Sequence, residues 1–428
     1  MALSPTDHEE TRTGQRILLL THRLPYPPDR GDRIRAYHLL RALAGRHRVT
    51  LASISERPAS PDQRAELDRL CDRVLIRQVR PMHQRFAGAW GLMTGRPGTP
   101  TAMFHRGLSQ RLVALHRAQP FDAVITFCSG MAGYTAALQQ AGMAEFGHIM
   151  DLCDIDSAKW AAYADSASGP MRHVYAAEAR RLRHVEAGRT TPFDAVTVIS
   201  HAEAEVYQQT VSNQTRPVVV GNGVDLDYFG PEPPTARPVC VFTGVMSYKP
   251  NIDAVTWFAR QVWPAVCQAM PGRRPRFDIV GKDPSSAVRA LSQIPGVNVT
   301  GTVPDTRPYL ANAALAVAPL MIAPGVQNKV LEAMASARPV VCSHAAAAGI
   351  HALPGEELIV ADHADAVASA VIRLLGSPDT ARAIGQAARR RVEADYNWSS
   401  AMAPMLDLIE QLGAASSSTR RTPSRAAA

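Results

Sequence analysis

The sequence predicts an α/β protein of two comparable halves, each built on a doubly wound, mostly parallel sheet. Three observations predict it. The chain has 428 residues, which at about 150 residues per domain calls for two large domains or three smaller ones. Short β-branched and aliphatic runs alternate with longer amphipathic stretches, the pattern of β-α-β units. The alternation then restarts after Thr215, Arg216 and Pro217.

In the first series the expected strands are RILLLTH (16–22), VTLASIS (49–55), RVLIRQV (73–79), FDAVITFC (121–128), HIMDLC (148–153) and AVTVIS (195–200). The second series is VVVGNGV, VCVFTGV (239–245), FDIVGK (277–282), VNVTGTV (297–303), LAVAPL (315–320), PVVCS (339–343) and ELIVA (357–361). Between them GNGVDLDYFGPEPPTARP, rich in Gly, Pro and Asp, reads as a connector. Open parallel sheets bind ligands beyond the carboxyl ends of their strands, so a site is expected there, in a cleft between the halves.

Composition narrows the class. The chain is 46% hydrophobic and 20% charged, the profile of a packed globular protein. Lys plus Arg total 46 against 38 Asp plus Glu, a formal +8, which suits anionic partners such as phosphorylated metabolites or acidic lipid. The basic residues are spread along the chain without an aromatic-basic stacking module, so nucleic acid is not an expected partner. Six dispersed cysteines without C-x-x-C suggest neither a zinc ribbon nor a disulfide scaffold, and fit reduced thiols in a cytosol. The first fifteen residues lack the order of a secretory signal. The longest apolar run, Ala313 to Ala323, is broken by Pro319 and falls short of the roughly 20 residues of a spanning helix. The expectation is a cytoplasmic protein, soluble or peripheral on the inner face of the plasma membrane, with Arg85, Arg106 and Arg111 as candidates for contact with anionic lipid.

No G-x-G-x-x-G follows the first strand, and neither a P-loop nor H-E-x-x-H occurs. The loop PPDRGDR (27–33) admits two readings: an anion site, with Gly31 letting the backbone approach a ligand at a helix N-terminus, or a Pro-rich turn with solvated arginines. Asp154-Ile155-Asp156 and Asp225-Leu226-Asp227 have a D-x-D form that arises often by chance, and no third oxygen donor is predictable, so no metal is expected. Asp154, Asp156, Ser157 and Lys159 follow a strand end and are candidates for substrate hydrogen bonds.

The richest stretch is PLMIAPGVQNKVLEAMASARPVVCS (319–343). A strand ends at Leu320, Pro324-Gly325 makes a turn, and Val326 to Ser336 has helical periodicity. Lys329 and Glu332, three apart, share a helix face. They offer a cation to a phosphate and a carboxylate to hydroxyls, or form a surface ion pair of little worth.

Gly325-x-x-Asn328-Lys329-x-x-Glu332-Ala333-Met334-Ala335 followed by Arg338-Pro339-Val340-Val341 resembles the donor-nucleotide signature of glycosyltransferase family 4, the retaining enzymes of the GT-B fold. The Pro28-to-Arg33 loop, Asn222-Gly223-Val224-Asp225, Phe242-Thr243-Gly244 and Val280-Gly281 match in family order, and the resemblance covers about residues 15 to 410. LPYPPDRGDRIRAYHLL, DIDSAKWAAYA, FTGVMSYKPNIDAVTWF and GVQNKVLEAMA are most similar to sugar transferases of exopolysaccharide and exosortase (PEP-CTERM) systems.

The resemblance implies two Rossmann-like domains and a nucleotide-diphosphate-sugar donor. Glu332 would accept from the donor ribose, Gly325, Val326 and Asn328 would contact the donor, and Lys329 would lie near the diphosphate. Gly31 and Gly244 would be the glycines facing the phosphates, with Gly281, Lys249 and Lys282 beside them. Arg23, Asp32, Arg33, Asp154 and Asp156 would line the acceptor side, toward a glycan or lipid-linked acceptor. Two departures stand out. The first Glu of the family's E-x7-E falls on Pro324, and Ser247, Tyr248 and Lys249 replace the Arg and Lys that grip the diphosphate.

The implied reaction is transfer of a sugar to an acceptor hydroxyl with retention. A glycine turn, helix amides and lysines would stabilise the departing diphosphate without a metal or other cofactor, and no protein nucleophile is evident. The alternatives are a non-catalytic sugar-nucleotide-binding or partner protein, motivated by Pro324, and a sugar-nucleotide epimerase. The expected divisions are a disordered 1–14, an acceptor domain over 15–217 joined by a terminal helix at 396–412, a donor domain over 218–395, and a disordered tail over 413–428. That helix has an apolar face at Met402, Met405, Leu406, Ile409 and Leu412; family likeness puts it on the first half, while periodicity alone allows the second.

Overall fold

The computed structural model describes residues 14–143, 146–233, 237–323 and 325–421. They fall into two compact units: one runs to Gly221 and resumes at Met402, and the other is Asn222–Ala401.

The first unit contains β1 (Arg16–Thr21), α1 (Gly31–Ala44), β2 (Arg48–Ser55), α2 (Pro61–Leu70), β3 (Arg73–Gln78), α3 (Pro81–Met93), α4 (Gly98–Met103) and α5 (Arg106–Ala118). It continues through β4 (Ala123–Phe127), α6 (Ala132–Gln140), β5 (Gly147–Leu152), α7 (Asp156–Ser166), α8 (Pro170–Glu186), β6 (Ala195–Val198), α9 (His201–Thr210) and β7 (Val218–Val219). The strands form one sheet in the order β3-β2-β1-β4-β5-β6-β7, with parallel pairing such as Ile17 beside Val49 on one side and Ala123 on the other. Helices cover both faces of such a sheet, so its strands read as continuous apolar runs; β4 is buried at every residue.

A buried ion pair fixes α1 on this sheet. Arg35 donates to both carboxylate oxygens of Asp151 on β5, at 3.1 and 2.7 Å, and to the carbonyls of Val220 and Gly221 at 2.8 and 3.2 Å. Thr197 Oγ1 donates to the same carboxylate at 2.7 Å. A charge buried this fully persists only when its hydrogen bonds are supplied.

The second unit contains β8 (Val239–Thr243), α10 (Lys249–Trp257), α11 (Trp263–Ala269), β9 (Arg276–Val280), α12 (Ser286–Ala290), β10 (Val297–Gly301), α13 (Arg307–Ala311) and β11 (Leu315–Ala318). Then come α14 (Asn328–Ala335), β12 (Val340–Cys342), α15 (His344–Ala347), β13 (Ile359–Val360), α16 (Ala364–Gly376) and α17 (Pro378–Asp395). Its parallel sheet has the order β10-β9-β8-β11-β12-β13. Phe258, Trp263 and Phe277 form the aromatic centre of its core, with Phe258 and Phe277 4.6 Å apart. In both sheets the strand order reverses beside the first strand, at β1/β4 and β8/β11, and such a reversal opens a crevice at the strand ends.

Three expectations shift. The VVV run does not open the second series: Val218 and Val219 pair with Thr197 and Val198 of the first sheet, so the first unit ends at Gly221 rather than 217. The last helix, α18 (Trp398–Arg421), runs past the expected 412, so the tail expected to be disordered from 413 is helical as far as Arg421; 422–428, like 1–13, lie outside the described residues. From Met402 onward α18 belongs to the first unit. There Met402, Met405, Leu406 and Ile409 are buried, and a Cβ on Gly147 would come within 2.7 Å of Leu412.

Candidate functional site

In the second unit, β8 and β9 end side by side on two glycines. The Gly244 N–H donates to the Val280 carbonyl at 3.0 Å, and a Cβ on Gly281 would lie 1.6 Å from the Gly244 oxygen. Both have positive φ, 158° and 153°. Only glycine allows backbones to approach this closely.

Lys329, in the first turn of α14, reaches this place. Its Nζ donates to Asn251 Oδ1 at 2.5 Å and lies 4.4 Å from the centre of the Phe242 ring. A Cβ on Gly244 would stand 3.3 Å from that Nζ. Asn251 is itself held through Nδ2 by the Val245 carbonyl at 2.9 Å. Three of the expected donor residues, Gly244, Gly281 and Lys329, are thus brought together, and Asn251 and Phe242, which sequence reasoning did not single out, complete the cluster.

The turn before α14 passes through Gly325 at φ 68°. Gly349 makes room for it, since a Cβ there would be 2.7 Å from the Gly325 oxygen and 3.2 Å from the Val326 Cα. Pro324 lies outside the described residues. The helix starts at Asn328, two residues later than expected, and Gln327 supplies no side-chain cap. The Val330 and Leu331 amides donate to the Gln327 carbonyl at 2.9 and 3.3 Å, which leaves the Asn328 and Lys329 amides without an intrahelical acceptor at the positive end of the helix dipole. Asn328 Oδ1 is buried without a hydrogen-bond partner.

Glu332 is half-buried one turn after Asn328, and among the described residues its carboxylate receives no hydrogen bond. Desolvation pushes the Glu332 carboxyl up to about 7 and the Lys329 ammonium down to about 7, with their mutual attraction opposing both shifts. The helix start therefore presents unoccupied acceptors for hydroxyls beside a cation and free amides for an anion.

Lys249 and Lys282 are the remaining expected donor lysines. Lys249 is largely exposed and paired with Asp253 at 2.8 Å, an i,i+4 pair on α10. Lys282 follows Gly281, and it is its backbone carbonyl that turns inward, accepting from Met246 N–H at 2.8 Å.

In the first unit, a cavity of about 820 Å³ opens at the ends of β1, β2 and β3, lined by His22, Arg23, Tyr26, Arg30, Arg33 and Arg57 among others. Asp32 holds the cationic rim in place, accepting from Arg23 at 2.5 Å and contacting His22 Nε2 at 3.2 Å. Burial alone would raise the Asp32 carboxyl, but His22 and Arg23 hold it well below the usual carboxylate range. Gly31 is the exposed first residue of α1.

Asp154 and Asp156 are not among the cavity's lining residues. Asp156 accepts from Ser129 Oγ at 2.6 Å and Lys159 Nζ at 2.7 Å, a local cluster at the start of α7. Asp225 accepts from the Asp227 and Tyr228 amides at 3.2 and 2.9 Å, a turn contact. No group of three metal-ligating carboxylate, thiol or imidazole residues occurs among the described residues.

A further arrangement beside the cavity has no signature in the sequence. His22 Nδ1 lies 3.5 Å from Cys128 Sγ, and its other nitrogen faces Asp32. Cys128 directly follows β4 at φ 68°, an uncommon conformation for a residue with a side chain. Desolvation lowers His22, but the Cys128 sulfur and Asp32 outweigh it and push the imidazole up to about 10.

Comparison with known proteins bears on the fold and on the second unit. Residues 237–377 match the family described as Glycosyl transferases group 1. No curated protein matches the chain significantly. Among solved structures, sucrose-phosphate synthase from Thermosynechococcus elongatus is similar over 94% of this chain and 100% of its own, at 20% identity and TM-score 0.69. A glycosyltransferase from Rickettsia africae covers 93% and 98%, at 13% identity and TM-score 0.62. Anabaena HepE in complex with UDP covers 94% and 100%, at 14% identity and TM-score 0.61. The two sheets thus follow the GT-B fold, and residues 237–377 form a group 1 glycosyltransferase domain.

Proposed function

We propose that this chain is a retaining glycosyltransferase of the family 4 kind, moving a sugar from a nucleoside-diphosphate sugar to an acceptor hydroxyl in the synthesis of exopolysaccharide or another cell-surface glycan. The observation that carries the reading is the start of α14: Glu332 and Asn328 Oδ1 are acceptors without protein donors, beside Lys329 and uncapped helix amides. That set matches a ribose and a diphosphate. The amides and Lys329 act on the charge that develops as the diphosphate departs, where preorganised donors contribute most. Neither step calls on a metal or cofactor. Structures of Anabaena HepE with UDP and with UDP-glucose make uridine nucleotides the first donors to test.

The acceptor side is assigned to the cationic rim of Arg23 and Arg33 with Asp32, facing a glycan or lipid-linked acceptor. The chain works at the inner face of the plasma membrane; no helix among the described residues is long and apolar enough to cross one. Pro324, in place of a family glutamate, favours a second reading, a non-catalytic sugar-nucleotide-binding protein on the same scaffold.

The test is a thermal-shift screen against nucleoside diphosphates and their sugar conjugates. At 100 times Kd a ligand adds about 2.7 kcal/mol to stability, a shift that Glu332→Ala should remove. No shift with any nucleotide would overturn the donor site. Binding without release of free sugar or transfer to any acceptor would favour the second reading.

A further inference from the structure

Helix α3 is amphipathic in the reverse of the usual sense. A helix lying on a globular core turns its bulky apolar residues inward, yet Met82, Phe86, Trp90 and Met93 are 57, 67, 65 and 82% exposed. Their spacing of four, four and three places them on one face, with Ala89 between them and Arg85 on its edge. The opposite face is built from small residues. Gly88 would meet Ala102 and the Gly98 carbonyl within 3.5 Å, and Gly91 would come within 2.8 Å of Thr101 on α4. The ridge is braced from behind by α8: Arg181 donates to the Leu92 and Arg96 carbonyls at 3.0 and 3.2 Å, and Glu178 accepts from the Gly98 and Thr99 amides that open α4. Among the described residues, nothing of its own unit covers this apolar edge.

The charge around it is one-sided. From 73 to 121 the sequence has eight arginines, Arg73, Arg77, Arg80, Arg85, Arg96, Arg106, Arg111 and Arg117, and no Asp or Glu. Arg80 precedes α3, Arg85 rides on it and Arg96 follows it. A second copy of this chain docked on the ridge would set arginines against arginines. An anionic bilayer surface satisfies both features, because acyl chains take up the Met, Phe and Trp side chains while lipid phosphates pair with the arginines.

We propose that α3 is a membrane-docking ridge, its apolar face lying in the interfacial layer of an anionic bilayer with Arg80, Arg85 and Arg96 on the lipid headgroups. This deepens the membrane contact of the proposed function. Because vesicle binding is read without donor or acceptor, its failure is separable from failure of the transfer chemistry.

The experiment is co-sedimentation of the full chain with phosphatidylcholine vesicles, with and without phosphatidylglycerol. The wild type should pellet only with phosphatidylglycerol, and added salt should weaken binding. The exposed double variants Phe86→Ser/Trp90→Ser and Arg85→Glu/Arg96→Glu should each lower the partition coefficient about tenfold or more while keeping the wild-type melting temperature. Trp90 emission should shift to the blue on binding, and that shift should vanish in Trp90→Phe. Absence of wild-type binding, or binding by both double variants equal to wild type, would overturn the proposal. Self-association that Phe86→Ser/Trp90→Ser abolishes, without vesicle binding, would overturn it in favour of a second copy.

Discussion

The pair on α14 makes proton exchange a direct probe of donor binding. With Lys329 and Glu332 both near pKa 7, at pH 8 Lys329 is roughly one-tenth protonated and Glu332 roughly nine-tenths ionised, and at pH 6 the proportions are reversed. A bound diphosphate favours the ammonium, raising the Lys329 pKa. Ribose hydroxyls donating to Glu332 favour the carboxylate, lowering its pKa. Shifts of about 2 units in each would make binding take up a net of about 0.7 proton at pH 8 and release about the same at pH 6. The sign of proton exchange therefore reverses near pH 7. Affinity peaks there and falls about threefold over the first pH unit on either side and about fivefold over the second, where the bound-state pKa values are reached. Isothermal titration with UDP-glucose, in buffers of differing ionisation enthalpy, reads the proton count; this donor has no group of its own titrating near pH 7, whereas UDP does. Lys329→Met should abolish uptake at pH 8 and Glu332→Gln should abolish release at pH 6. Proton exchange of one sign at both pH values, or uptake that survives Lys329→Met, would refute the assignment.

Three further outcomes follow from contacts already described. Gly281→Ala forces a Cβ into the Gly244 carbonyl oxygen and should cost about 3 kcal/mol or more, read as a lowered urea midpoint. Asp151→Asn leaves the buried Arg35 guanidinium without its counter-charge and should cost about 3–5 kcal/mol, while Arg35→Met/Asp151→Leu should recover much of that loss by removing both charges; unfolding midpoints of the two variants decide. Iodoacetamide should label Cys128 ahead of the other partly exposed cysteines, Cys153 and Cys267, whose thiols burial raises, and His22→Asn should slow that labelling, as peptide mass spectrometry would show.

The parallel sheets were legible because strands buried on both faces have to be apolar throughout, and each such run proved to be a strand. What a two-residue strand pairs with is not written in its own composition, so the VVV run was attached to the wrong sheet. The helix holding Lys329 and Glu332 was legible from a glycine turn followed by helical periodicity. The groups that make that helix a site were not. Asn251 is 78 positions from Lys329 and reads like any polar residue in a first helical turn. Arg35 and Asp151 are 116 positions apart, and His22 and Cys128 are 106 apart. Such pairs exist because strand order puts β1 beside β4 and next but one to β5. The reversal of α3 was hidden for a different reason: Met82, Phe86, Trp90 and Met93 have the periodicity of a core-facing stripe, and only the packing of Gly88 and Gly91 onto α4 shows that the stripe faces away.

The substitution of Pro324 can be weighed against what α14 keeps. Loss of a carboxylate in the turn before the helix removes one acceptor for hydroxyls of a transferred sugar, yet it also leaves the helix start with less negative charge. Lys329 is already drawn toward the neutral form by burial, so its pKa then answers to Glu332 and to the incoming diphosphate. On the proposed assignment, discrimination shifts toward the nucleotide, which would engage Glu332, Lys329 and the helix amides, and away from the sugar. A site so arranged should tolerate changes in the donor sugar better than changes in the nucleoside diphosphate. Competition by UDP against several UDP-sugars, and by other nucleoside diphosphates against one, would measure that asymmetry directly.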